Sequence, residues 1–168
     1  MLYTLMVPQF TQMLRNLSHI LDKGAEHAQA KKIDMEVLLG SRIIADQFPL
    51  GRQIQIACDT AKISVSRVTG KDAPVHEDKE KTLPEFKARI DSVISYLNGF
   101  SEADFRGAEE RKVVNPRWNG KHMLGAEYAV QHAIPNLYFH VTTAYAILRQ
   151  NGVNVGKKDY LGELALRS

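Results

Sequence analysis

Residues Tyr128 to Leu148 read YAVQHAIPNLYFHVTTAYAIL, a run with no Asp, Glu, Lys or Arg. It approaches the length of a membrane-spanning helix, yet its interior carries Gln131, His132, Asn136, His140, Thr142 and Thr143, and Pro135 besides. Each is costly or disruptive against lipid, so a helix buried by the rest of the protein accounts for the run, and no membrane partner is expected. Val130, Leu137, Val141, Ala144 and Leu148 fall on one stripe of a helix running from about Glu127 to Gln150. Asn151-Gly152 suits its C-terminal cap. Pro135 lacks an amide proton, so the helix must kink there or begin anew with Pro135 in its first turn.

Three more long helices are predicted upstream. The first spans about Thr4 to Ala30, with Phe10, Leu14, Leu17, Leu21, Ala25 and Ala28 on one stripe and His19 and His27 outside it, in solvent. Asp34 caps a short apolar turn through Leu38 and Leu39. The second long helix runs from Pro49 to Thr69 and stops at Gly70. Leu50, Ile54, Ala57, Ala61, Val65 and Val68 form its main stripe, and Ile56 and Ile63 a second one on the far side, as in a helix covered on two sides. The third is opened by the capping box Thr82-Leu83-Pro84-Glu85, turns Phe86, Ile90, Val93, Ile94 and Leu97 inward, and ends at Asn98-Gly99.

The connections differ in character. Lys71 to Lys81 is rich in charge, holds Pro74 and His76, and has no apolar period, so it reads as a solvated link. Ser101 to Asp104 repeats the capping pattern ahead of Phe105. Val113-Val114 and His122-Met123-Leu124 flank Trp118-Asn119-Gly120-Lys121, where Asn-Gly signals a hairpin turn and Pro116 restricts one arm of the ladder. The fold class expected is therefore all-α, one four-helix-bundle domain over residues 1–168, with a small β-hairpin inserted between the third and fourth long helices. Tyr160 and Leu161 are the expected anchors of the tail.

The composition narrows the function classes. With 168 residues, 44% hydrophobic and 24% charged, the chain is an ordinary globular protein of about one domain. Its charge of +3 is spread over scattered basic pairs such as Lys31-Lys32 and Lys157-Lys158, so no phosphate-tracking face forms and nucleic acid is not expected as a partner. The single cysteine, Cys58, has no disulfide partner in the chain, and the first basic side chain is Arg15, too late for a leader sequence. A cytoplasmic location is expected on those grounds.

Chemistry is concentrated on the last helix, where His132, Asn136 and His140 recur every four residues along the border of the apolar stripe. Two ligands at that spacing project from one face, the arrangement by which bundles hold metals. A hydrogen-bonded structural histidine is the simpler account of such a position, and asparagine is a weak ligand for Zn²⁺ or Ni²⁺. Cys58 borders the second helix's main stripe as a small packing residue. Trp118, Tyr138 and Tyr145 are candidates to line a pocket near the hairpin, and Arg52 either meets an anionic ligand or forms a surface ion pair. Gly152 to Lys158 is one residue short of a phosphate loop and follows a helix where a strand is required.

The segment Pro135 to Tyr145, followed by Leu148-Arg149 and Asn151-Gly152, together with Phe48-Pro49-Leu50 leading through Gln53 to Asp59, resembles the DinB/YfiT-like superfamily, and within it an uncharacterised branch known only as a domain of unknown function. The likeness covers nearly the whole chain. It implies an up-and-down four-helix bundle in which metal-binding members hold three ligands, mostly histidines, at one end: one from the second helix and two, four residues apart, from the last. His140 matches the final ligand, Asn136 stands where its histidine partner would be, and the second helix contains no histidine. Cys58 and Asp59 are both nearest by position.

Two readings follow. In one, the chain is a binding or structural bundle without catalysis, a homodimer among its expected forms, whose former metal pocket holds water or a small-molecule ligand through Asn136, His140 and Asp59. In the other, which the resemblance implies, a divalent metal such as Zn or Ni held by His140, Asn136 and Asp59 or Cys58 supports hydrolysis, or transfer involving a low-molecular-weight thiol. A third, an interaction module using the first helix or the hairpin, is compatible with the pattern and specified by none of it.

Overall fold

The structure, a computed structural model, describes residues 1–167. In chain order it contains α1 (Leu2–Lys31), α2 (Met35–Gly40), α3 (Leu50–Thr69), α4 (Leu83–Asn98), β1 (Lys112–Val114), β2 (His122–Leu124), α5 (Gly125–Tyr128), α6 (Ile134–Gln150) and α7 (Lys157–Leu161). The predicted stripes become one core: Phe10, Leu14, Leu17 and Leu21 of α1, Leu50 to Val68 of α3, Phe86 to Leu97 of α4, and Leu137 to Leu148 of α6. Asp34 accepts from the Glu36 amide, and the Glu85 carboxylate from the amides of Lys81 and Thr82, so both predicted N-termini are capped by side chains.

The long helices close a ring in the order α1, α4, α3, α6. Their directions follow from contacts: Gly51 meets Phe86 and Asp59 meets Arg89, so α3 and α4 are parallel. Gln53 meets His140 and Ser64 meets Tyr128, so α3 and α6 are antiparallel. Gly24 meets Leu148 and Gly152 meets His27, so α1 and α6 are parallel. In chain order the helices thus run up, down, down, up, which corrects the alternating up-and-down order that the resemblance implies. The parallel step is possible because residues 70–82 return the full length of α3; extended chain of that length reaches ~40 Å, against ~30 Å for the helix.

That return segment corrects one expectation. Residues 71–81 are not a freely solvated link but a strap laid over α3 and α4. His76 Nδ1 lies 2.6 Å from Lys62 Nζ, Arg52 donates to Asp78, and Gln55 donates to Glu80. Beneath it Arg89, whose side chain is 1% exposed, donates to Asp78 (2.6 Å), Glu80 (2.9 Å) and Asp59 (2.7 Å). A guanidinium is buried only when its charge is met, and the strap supplies two of the three carboxylates that meet it.

The hairpin also departs from the simplest reading. β1 and β2 pair antiparallel with Val113 opposite Met123, but residues 115–121 form a longer loop with a 3-10 turn over Pro116–Trp118. Asn119 and Gly120 do adopt positive φ, 50° and 79°, inside that loop and not as a two-residue turn. Pro116 falls in the loop, so it does not interrupt the ladder. In the tail, Tyr160 packs against the core as expected, Leu161 is exposed, and Val153 and Val155 are the fully buried anchors.

Pro135 enters α6 in its first turn, after a π turn over Ala129–Ala133. A proline ring presses on the carbonyl four residues back, here that of Gln131, and the widened turn makes room for it. The turn takes up one extra residue, which shifts the register of everything before it. Val130 is consequently 59% exposed, and Ala129 and Ala133 take the core positions the stripe would have assigned to it.

Candidate functional site

Antiparallel packing of α3 on α6 sets the residues of interest side by side. His140 is 8% exposed, with its Nδ1 2.7 Å from Gln53 Oε1. Gln53 Nε2 in turn donates to the Phe48 carbonyl at 3.0 Å, and because a carbonyl only accepts, this bond fixes the orientation of the amide. Its Oε1 therefore accepts, His140 Nδ1 carries the proton, and Nε2 keeps its lone pair. Burial, assisted by the charge of Arg52, pushes the pKa of His140 down to about 4, so the ring is neutral at pH 7. Farther along, Asn136 Nδ2 donates to Thr60 Oγ1 at 2.7 Å.

Neither Cys58 nor Asp59 is bonded to His140 or Asn136. Cys58 is fully buried in the core, where burial pushes its thiol up to about 12, far from a thiolate at neutral pH. Asp59 is held by Arg89 at 2.7 Å and Lys62 at 3.0 Å. The α3 residues beside His140 and Asn136 are instead Gln53 and Thr60. Among the described residues no three His, Cys, Asp or Glu side chains converge as a metal-ligating group. One imidazole, two amides and a hydroxyl, already bonded to one another in pairs, do not fit a resident Zn²⁺ or Ni²⁺, which select imidazole, thiolate and carboxylate.

Beside this row lies a groove of about 440 Å³, lined by α3 from Arg52 through Ile56, Asp59, Thr60 and Ile63 to Arg67, by Asn115, Pro116 and Arg117 of the hairpin loop, and by Tyr128, His132 and Asn136. Asn136, Asp59 and His132 are thus brought to one cavity, whereas His140 is absent from its lining. His132 stacks on Tyr128 with ring centroids 5.2 Å apart, and Trp118 meets both edge-on. Burial and the charge of Arg67 lower the His132 pKa. Tyr145 is carried elsewhere: its ring meets Tyr160 and its hydroxyl donates to the Val155 carbonyl. Arg52 is the predicted surface ion pair, with Asp78.

Gln53, Thr60, Arg67 and Arg117 escape a reading by residue type, because amides, hydroxyls and surface arginines carry no spacing signal of their own. The one available hint was periodic. Ile56 and Ile63 make an apolar stripe on the face of α3 turned from the core, and that stripe is the floor of the groove.

Residues 2–161 match the family described as a domain of unknown function, DUF1993. A DinB family member protein from Shewanella denitrificans, known from a crystal structure, is 59% identical, with a TM-score of 0.97 over 100% of this chain and 96% of that chain. No curated protein matches. Among the described residues, no helix is long and apolar enough to cross a membrane.

Proposed function

The chain belongs to the DUF1993 family, a DinB-like branch of unknown function, and on that footing we propose that it is a metal-independent small-ligand-binding bundle whose ligand occupies the groove between α3, α6 and the hairpin loop. The observation that carries this reading is the pairing of His140 with Gln53 and of Asn136 with Thr60. Where a metal centre would need converging anionic or imidazole donors, this row spends its polar atoms on one another. The His140–Gln53–Phe48 relay then has a structural role: it ties α6 to the segment that leads into α3 and so fixes one end of the groove.

The groove supports the binding half of the reading. It has the size of a small-molecule site and combines an apolar floor with a few polar groups, the usual composition of such sites. Elemental analysis of protein purified without a histidine tag, followed by Zn²⁺ and Ni²⁺ titration, tests the metal half. Substoichiometric metal and no tight saturable binding are expected. One equivalent of tightly held metal, lost in His140→Ala, would overturn the reading in favour of a metal-dependent hydrolase or transferase.

A further inference from the structure

We propose that the hairpin end of the groove binds the anionic head of a small amphipathic molecule, a carboxylate or phosphate ester, whose apolar body lies along Ile56 and Ile63. This deepens the reading above and rests on it.

The argument begins with charge. Three arginines and one carboxylate line the groove. Asp59 is already neutralised by Arg89 and Lys62, and Arg52 by Asp78, while no carboxylate among the described residues lies within ion-pair distance of Arg67 or Arg117. The unneutralised charge is therefore gathered at one end. Arg52 and Arg67 are fifteen residues apart along α3, about 22 Å by helical rise, so the two arginines cannot share one small head group. Arg67 and Arg117 are the pair at the hairpin end.

Position favours a built site over a chance surface. Arg67 is half-buried and its Nη1 donates to the Tyr128 hydroxyl at 3.3 Å, which itself lies 3.0 Å from Ser64 Oγ. That bond and the approach of the guanidinium to the Tyr128 ring, 5.9 Å to the centroid, orient the side chain, with most of its N–H donors uncommitted. His132, against the same tyrosine, buries its Nδ1 with no hydrogen-bond partner among the described residues. A planar, oriented guanidinium, with a second arginine lining the same groove, suits a carboxylate or phosphate. The floor continuing from there toward Phe48 is Ile56 and Ile63, suited to a chain of methylenes or a ring and not to a second charge.

Trp118, expected to line a pocket, lies outside this groove's lining but reports on it through its contacts: it is the only tryptophan, and its ring sits 5.6 Å from His132 and 6.0 Å from Tyr128, both of which line the groove. The test is a fluorescence titration of the full chain with octanoate, octyl phosphate, octan-1-ol and octylammonium. Saturable binding of octanoate or octyl phosphate is expected, at least tenfold tighter than the alcohol or the amine. It should weaken at least tenfold in Arg67→Gln and in Arg117→Gln, the latter on an exposed loop where folding is not at risk, and stay unchanged in Lys121→Gln. If the alcohol or amine binds as tightly as the anions, or if both arginine variants bind like the parent, the anionic assignment is overturned and the groove as a ligand site stands. If none of the four probes binds, the groove reading falls with it.

Discussion

His140 shows how one hydrogen bond decides what a side chain can do. Its ordinary pKa of 6.5 is lowered to about 4, by burial first and the charge of Arg52 second, so the unfolded chain binds a proton there that the folded chain refuses. Stability is full above pH 6.5 and falls as the pH drops toward 4, by at most about 3 kcal/mol. Urea unfolding between pH 7 and pH 4.5 should show this slope in the parent and a flatter one in His140→Gln; equal slopes would remove the neutral buried ring from the account. Gly125 makes a second case. A Cβ there would stand 1.8 Å from the Ala108 carbonyl oxygen, so Gly125→Ala must push the hairpin away from the preceding turn. A loss of about 2 kcal/mol is expected, seen as a lower urea midpoint with an unchanged slope. Neither feature is legible from residue type: a histidine on a helix border and a glycine before a helix read the same whether they are critical or idle.

At the scale of elements, legibility followed periodicity. The four long helices were readable because Phe10 to Leu21, Leu50 to Val68, Phe86 to Leu97 and Leu137 to Leu148 each repeat at helical spacing, and burial follows that spacing. The reading slipped where the period was interrupted, as at Val130, which the π turn before Pro135 moves out to solvent. It also slipped at residues 71–81, which have no period because their contacts are charged and reach partners on other elements. The strap's role can be measured. Arg89 answers Asp59, Asp78 and Glu80 at once, so Arg89→Ala leaves three carboxylates without their common partner and should cost about 3 kcal/mol. For Asp78 and Glu80, burial works to raise the pKa and hydrogen bonds outweigh it, from Arg52 and Arg89 to Asp78 and from its own backbone amide, Arg89 and Gln55 to Glu80, leaving both below their ordinary 3.8 and 4.5. Their contribution is therefore intact above pH 4.5 and is lost as the pH falls through the lowered native values. Carboxyl carbon-13 NMR titration should place Asp78 and Glu80 below their ordinary values in the parent and return both toward them in Arg89→Ala; unshifted carboxyls in the parent would argue against a strap held by charge.

On the scale of the whole molecule, the helix order up, down, down, up places α3 between the strap on one side and the α6 groove on the other. The same helix thus carries a closed network of paired charges toward α4 and, at the hairpin end of its open face, Arg67 without a carboxylate partner among the described residues. In this division Asp59 pairs with Arg89 and Lys62 beneath the strap, while Gln53 stands beside His140. Everything proposed for the groove depends on that row being held by hydrogen bonds and not by a metal. Nitrogen-15 NMR of the His140 ring, recorded at pH 7 with and without one equivalent of Zn²⁺, tests this most directly. The account predicts a neutral ring protonated at Nδ1 whose Nε2 resonance does not move when zinc is added; a zinc-induced shift of Nε2 in that ring would contradict it.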